Sequence, residues 1–360
     1  MLSIAVAYVL FGILSGIDAG FAHTLEVSRM DRIFTDSRYG AAMPIAYAEQ
    51  IASVPGVIVV APRSGLLGYF QDPKNFMFVL CADQRFFALR PEITISAQQL
   101  ATLMQTRAGA AVSVELARKY GWKLGDKVPI QSNTPQADGN TTWVFDIVAT
   151  VDDVNYPGQS GWFIANYAYL DEGRVSDKGT VSRFLVRTAD PARSAQIGRQ
   201  IDKLFANSAV ATRTNSERSQ TQSGLQSFGD VNFLTNAVLG AVFFMLLFLS
   251  GNTMLQSVRE RTPEFALLKA LGFSDNLVLS LVVAESVLLV LLAAAAGLLL
   301  SKLLIPIARG PLSDFIVLLQ MPWPALLRGL GLALIVAVFS SLLPAWRVKQ
   351  LSVANALAKI

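Results

Sequence analysis

The sequence predicts an α-helical membrane protein with four transmembrane helices plus a mixed α/β extracytoplasmic domain between helices 1 and 2. Three observations carry that prediction. The longest apolar runs are four in number, each near the ~20 residues a helix needs to cross a hydrocarbon core of ~30 Å. Residues 22–230, between the first two runs, alternate short apolar strands with helical patterns and are long enough to fold alone. Hydrophobic residues make up 52% of the 360-residue chain, which fits a membrane part joined to one substantial water-facing domain.

The first run, residues 1–21, is expected to be helix 1. No basic residue precedes it and Gly20-Phe21-Ala22 is only a fair cleavage site, so a retained span is expected rather than a cleaved leader. Gly12, Gly16 and Gly20 recur every fourth residue and so share one helix face, where a neighbouring helix can approach closely.

Residues 22–230 form the expected α/β domain. Leu25 to Tyr39 mixes charges of both signs at helical spacing, which predicts a helix rising from the membrane. Ile45 to Val54 reads as a helix and Val57 to Pro62 as a strand, with Pro55-Gly56 turning between them. Phe76 to Cys81, Val128 to Gln131, Phe145 to Val151 and Ser182 to Arg187 read as strands. Val114 to Tyr120 and Pro191 to Phe205 read as helices, and Asn207 to Ser227 as a flexible or helical stalk.

The second span is expected over 231–256, with Ser250-Gly251-Asn252-Thr253 near one end. These polar residues can bond across helices, Asn252 above all. Residues 257–276 form a charged, partly apolar connector to the third span, 277–303. Glu285 stands inside that span, where an ionisable group is costly and usually partnered. Either it links the connector to the helices or it reaches the interface. A loop follows over 304–324, the fourth span over 325–345, and a basic tail over 346–360. Placing Arg259, Arg261, Lys269, Arg347, Lys349 and Lys359 on the cytoplasmic side follows the positive-inside rule, although Lys302, Arg309 and Arg328 then lie outside. Both termini are then cytoplasmic and the α/β domain extracytoplasmic.

Several function classes are disfavoured. The net charge is +4, but residues 22–230 are nearly balanced, with 21 Lys and Arg against 20 Asp and Glu, so nucleic acid is not an expected partner. Cys81 is the only cysteine and His23 the only histidine, which leaves no intrachain disulfide and no His-rich metal site. Gly121 to Lys127 reads Gly-x-x-x-Gly-x-Lys, one residue short between the glycines and followed by a strand rather than a helix, so it is not a phosphate loop. The paired acids Asp152-Asp153 and Asp171-Glu172 are expected to point different ways, and Gly-x-Ser-x-Gly is absent. No catalytic residue, cofactor site or metal site is expected.

The connector Arg259-Glu260-Arg261-Thr262-Pro263-Glu264-Phe265-Ala266-Leu267-Leu268-Lys269-Ala270-Leu271-Gly272-Phe273-Ser274 resembles the signature of ABC-transporter permeases of the MacB/FtsX type. That superfamily includes macrolide exporters and lipoprotein-releasing permeases. The Pro344-Ala345-Trp346-Arg347 corner and amphipathic tail are similar to its closing motif. The resemblance implies a type VII permease that works by mechanotransmission. Its connector would be a coupling helix docked on a separate ABC ATPase subunit, and its partner in the membrane a second copy or close relative. A periplasmic membrane-fusion adaptor is a further candidate partner, and the bacterial inner membrane the expected location. On this reading Arg259, Glu260, Arg261 and Glu264 make charged contacts with the ATPase, and Phe265, Leu268 and Leu271 form the apolar anchor. The superfamily also implies an alternative, an FtsX-like regulator that activates an extracytoplasmic cell-wall hydrolase. The substrate stays open among macrolide, peptide, lipoprotein and lipid.

Overall fold

The structure is a computed structural model that describes residues 2–158, 160–227, 231–312 and 321–349. The chain divides into two compact units: Met1–His23 with Leu225–Ile360, and Thr24–Gly224.

Helix α1 (Leu2–Val27) opens the chain. It is followed by β1 (Arg32–Ser37), β2 (Met43–Pro44), α2 (Tyr47–Ala52) and a long β3 (Val57–Tyr69). Next come β4 (Phe76–Ala82), α3 (Gln84–Leu89), β5 (Ile93–Thr94), α4 (Ala97–Gln105) and β6 (Gly109–Ser113). Then α5 (Val114–Tyr120), β7 (Lys127–Ser132), β8 (Thr142–Asp153), β9 (Phe163–Asn166), α6 (Tyr167–Gly173) and β10 (Thr180–Val181) follow. The series ends with β11 (Arg183–Thr188), α7 (Ser194–Leu204), β12 (Thr212–Ser216) and α8 (Glu217–Ser227).

Among the described residues, ten of these strands build one sheet, in the order β12-β1-β11-β3-β4-β9-β6-β8-β5 with β7 bridging β3 and β8. Pairs β4–β9 and β6–β8 are parallel and the others antiparallel. Because successive side chains on a strand point to opposite faces, the sheet feeds several cores. Leu66, Val79, Trp143, Phe145 and Phe163 pack together in one. Phe34, Leu80 and Leu185 pack with Phe86 of α3 and Leu103 of α4 in another. Ile33 and Phe184 pack with Ile51 of α2 and Ile197 of α7 in a third. Cys81 is fully buried, and burial pushes its thiol pKa up to about 12, which makes it chemically quiet.

Local chemistry explains the expected elements. The Ser113 hydroxyl accepts from the Leu116 amide at 3.3 Å and caps α5, which ends at Gly121 in the left-handed region (φ 72°). The Gly125 amide donates to the Ile147 carbonyl at 2.7 Å, and Lys127 opens β7 with its Nζ on Asp146 at 2.6 Å. The glycine-lysine segment is thus a turn into a strand.

Two expectations need correction. Leu25 to Tyr39 is not one helix: α1 stops at Val27, and β1 pairs with both β11 and β12. Ile33 and Phe34 serve opposite faces of the sheet, and the charges that suggested a helix are answered across strands, as Arg183 answers Asp36. The stalk expected over Asn207–Ser227 contains an edge strand, β12, before α8. Its polar run Thr212-Arg213-Thr214-Asn215-Ser216 carries no apolar alternation to announce it. The acid pairs do diverge, Asp152 and Asp153 at the end of β8 and Asp171 and Glu172 on α6. Asp153 is buried against Trp162 while Asp152 is exposed, and Asp171 bonds Arg174 and Tyr167 while Glu172 pairs with Arg107.

The apolar unit comprises α1, α9 (Val231–Glu260), α10 (Thr262–Ala270), α11 (Asp275–Leu312) and α12 (Trp323–Lys349). Among the described residues, four of its helices are long and apolar enough to cross a membrane: Leu2–Val27, Asn236–Glu260, Asp275–Ile305 and Trp323–Ser341. Helix α12 packs against both α9 and α11. Gly12, Gly16 and Gly20 are all buried. A side chain at Gly12 would collide with Ser301 of α11, and one at Gly297 would collide with the Ala5 carbonyl, so α1 and α11 approach almost backbone to backbone. The bond between α9 and α12 comes from Ser250, whose hydroxyl meets that of Ser340 at 3.0 Å. Asn252, the residue favoured for that task, is exposed. Helix α11 also continues past residue 303 to Leu312, shortening the expected loop. Residues 313–320 of that loop, and tail residues 350–360 with Leu351, Val353, Ala354, Ala356, Leu357 and Lys359, lie outside the described residues.

Candidate functional site

The connector between α9 and α11 folds as a short helix held at both ends. Helix α9 stays regular to Glu260, and the chain breaks at Arg261 (φ −98°) before Pro263 in the first turn of α10. Proline suits that position because its missing N–H has no intrahelical partner there anyway. At the other end Gly272 takes φ 93°. Its amide donates to the Lys269 carbonyl at 3.1 Å and that of Phe273 to the Leu268 carbonyl at 3.2 Å, a Schellman ending. Lys269 Nζ then reaches Asp275 at the start of α11, at 3.0 Å.

Arg261 is the centre of this arrangement. Its Nε donates to Glu264 at 3.0 Å, and its Nη1 meets both oxygens of Glu285 at 2.6 and 2.7 Å. The hydrogen bond to Glu264, then that to Glu285, raises the guanidinium pKa above its ordinary value. Glu285, a carboxylate of α11, is thereby bonded to the connector and stays partly exposed. Arg261 is half-exposed and reaches across to α11, while Arg259, Glu260 and Glu264 are exposed, Glu260 accepting from Gln256 at 2.9 Å.

The three residues expected to act as one apolar anchor are divided between two surfaces. Phe265 is buried with Met254, Val258, Val278 and Val282, and Leu268 is packed against the same cluster. Leu271 is 69% exposed. Two neighbours that the sequence reading did not single out share its exposure, Leu267 at 58% and Phe273 at 44%. The outward apolar surface is thus Leu267, Leu271 and Phe273, and the inward one Phe265 and Leu268. A helical period alone lists both faces; deciding between them requires knowing where α9 and α11 lie. Of the packing candidates, Gly12, Gly16 and Gly20 are buried, Glu285 bonds the connector, and Asn252 makes no described contact across helices. Among the described residues, no group of three or more His, Cys, Asp or Glu side chains is placed to hold a metal ion.

A second charged assembly went unnoticed in the sequence. In the α/β unit, Arg32 is 2% exposed and bonds Glu92 at 2.8 Å, Glu217 at 2.7 Å and the Leu89 carbonyl at 2.7 Å. Arg90 bonds the same two carboxylates at 3.1 and 2.9 Å and lies over the rings of Phe86 and Trp162. Burial pushes the Glu92 pKa up, but the hydrogen bond and charge of Arg32, with Arg90 behind it, bring it below the ordinary value of 4.5. No spacing rule joins residues 32, 90, 92 and 217, so the sequence offered no signal.

Two family models that match the chain agree with this architecture. Residues 1–204 match the family model of the MacB-like periplasmic core domain, and residues 236–353 match that of the FtsX-like permease C-terminal domain. An uncharacterized ABC transporter permease protein of Mycobacterium tuberculosis, Rv0987, is 24% identical over 246 residues. The match covers 66% of this chain and 28% of that protein, so the chain spans little more than a quarter of its relative's length. Among solved structures, the periplasmic region of MacB from Actinobacillus actinomycetemcomitans aligns at 8% identity and TM-score 0.38, covering 54% of this chain and 93% of that one. The extracellular domain of the noncanonic ABC-type transporter YknZ from Gram-positive bacteria aligns at 11% identity and TM-score 0.39, covering 51% and 100%. With the two family models spanning both units, the chain belongs to the MacB/FtsX superfamily of ABC transporter permeases.

Proposed function

We propose that this chain is the permease subunit of an ABC transporter and that α10 couples it to a separate ATP-hydrolysing subunit. The observation that carries the proposal is the two-sided build of the connector. Its inner side is fixed to α9 and α11 by Phe265, the Arg261–Glu285 pair and Lys269–Asp275. Its outer side offers Leu267, Leu271 and Phe273 beside Arg259, Glu260 and Glu264. An apolar centre rimmed by charge is the composition expected of a docking surface. A helix so anchored passes any push on its outer side to the helices behind it. The chain works in the plasma membrane with the connector cytoplasmic and the α/β unit outside, paired with a second copy or a close relative. ATP-driven movement of the connector then reshapes the outer unit to export or extract a substrate, with a membrane-fusion adaptor as a further partner.

The test is recovery of an ABC ATPase with the tagged chain from gently solubilised membranes. Wild type should bring the ATPase down; Leu271→Ala should reduce its recovery several-fold, and Arg261→Glu should abolish it by expelling Glu285 and unseating α10. Equal recovery with all three chains would overturn the assignment of this surface. Recovery of none with wild type would overturn the coupling role, and a cell-wall hydrolase captured instead would favour the regulator.

A further inference from the structure

The α/β unit is entered and left by two stretches of chain, the end of α1 and the start of α8. Both are held by a single carboxylate. Glu217, the first residue of α8, accepts from the Arg29 amide at 3.2 Å, from Arg32 Nε at 2.7 Å and from Arg90 Nη2 at 2.9 Å. Arg29 lies two residues beyond α1, Arg32 opens β1 and Arg90 follows α3, so the entry stretch and the end of α3 converge on one side chain of the exit stretch. Two further bonds fasten the same pair of stretches: the Ser28 hydroxyl to Thr221 at 3.0 Å, and the Arg218 amide to the Arg29 carbonyl at 3.3 Å. All these residues belong to the α/β unit.

Such a cluster is a poor way to gain stability. Taking several charges out of water costs about as much as their attraction returns, and apolar side chains of similar volume usually do as well. What buried ion pairs supply is geometry, since each bond fixes direction as well as distance. Here the fixed geometry is that of the entering and leaving strands relative to each other. Without Glu217 the described contacts between the two would be the half-buried Ser28–Thr221 hydroxyl pair, the Arg218–Arg29 backbone bond, the Gln220–Asp36 bond at 3.2 Å and the pairing of β1 with β12.

We infer that Glu217 is a positioning residue that locks the entry and exit stretches of the α/β unit into one joint, so that they move together when the helices beyond them move. The inference rests on the transporter reading for its use, and on the bonds just described for its existence. Movement that reached one stretch alone would tilt or shear the sheet at β1 and β12, which pair with each other and continue those stretches. Movement that reaches the joint displaces the unit as a body.

The experiment is hydrogen–deuterium exchange on the full chain in lipid nanodiscs with its ATPase subunit, with and without ATP, comparing wild type, Glu217→Gln and Glu217→Asp. In Glu217→Gln, exchange should rise at least about tenfold, equivalent to ~1.4 kcal/mol, at residues 28–32 and 217–221 together. β6 and β8 should be unchanged and the ATPase still bound, while any ATP-driven change in the α/β unit is lost. Glu217→Asp should restore part of both. Should Glu217→Gln fail to fold, Thr221→Val loosens the same joint more gently and should show the paired rise on a smaller scale. A rise at only one stretch, or an undiminished ATP-driven change in Glu217→Gln, would overturn the inference. If no ATPase binds even the wild type, the transporter reading fails, yet paired or unpaired loosening still decides whether the joint exists.

Discussion

Two arginines organise this molecule in contrasting ways. Arg261 and Arg32 each bond two carboxylates brought from different elements. The Arg261 side chain is 41% exposed and its partners 63% and 43%, whereas Arg32 is 2% exposed and its partners about 10%. An exposed pair contributes little to stability, typically ~0–1 kcal/mol, and can be broken and remade cheaply. A buried cluster tolerates no loss of a member, because the charge left behind has neither water nor partner. The first suits a contact that must respond to a docking subunit, the second a part whose shape must not change.

The largest expected effect tests that contrast directly. Arg32→Ala should cost ~3–5 kcal/mol and lower the melting temperature of the α/β unit by roughly 10 °C, at ~2–4 °C per kcal/mol for a unit of this size. Arg261→Ala, followed by the same thermal melt, should leave that transition where it is; equal losses in both would erase the distinction. Next in size is a pair within the connector. Phe265→Ala opens a cavity in the cluster of Met254, Val258, Val278 and Val282 and should cost ~3 kcal/mol, seen as raised exchange at α10. Leu271→Ala should stay within ~0.5 kcal/mol of wild type and show itself only in ATPase binding. A stability loss at Leu271 as large as at Phe265 would mean that α10 does not present two distinct faces.

The smallest effect is that of acid. Glu92 is held below its ordinary pKa of 4.5 and Asp31 below 3.8, the latter chiefly by its hydrogen bond to Arg29. For a depressed carboxylate the added stability is fully present above the unfolded value and is lost as pH falls through the folded one. The α/β unit should therefore melt at a constant temperature from neutral pH down to about 4.5 and progressively lower beneath it. Replacing Glu92 with Gln should flatten part of that fall; an unchanged profile would argue against its role.

How much of this could be read beforehand differs from region to region, for physical reasons. The spans were legible because about 20 apolar residues in a row have few alternatives to crossing a bilayer. The connector was legible as an element, since charge, proline and glycine stand where a short helix begins and ends. Its inward and outward faces were not, because Phe265 and Leu271 are equally apolar and only the position of α11 separates them. Residues 25–39 were misread because alternating charge looks like a solvated helix when the partners that answer it, such as Arg183 and Glu217, lie more than a hundred residues away. Ser250 and Asn252 stand two residues apart in one polar run, and only the placement of α12 shows that Ser250 bonds Ser340 while Asn252 is exposed.

The near-contact of α1 and α11 has a mechanical consequence. Where Gly12 meets Ser301 and Gly297 meets Ala5, no long side chains lie between the helices to bend or change rotamer. At these two points the helices therefore meet with little side-chain cushion between them. The connector runs straight into α11, so on the proposed reading a push on it is felt by α1 across this close contact.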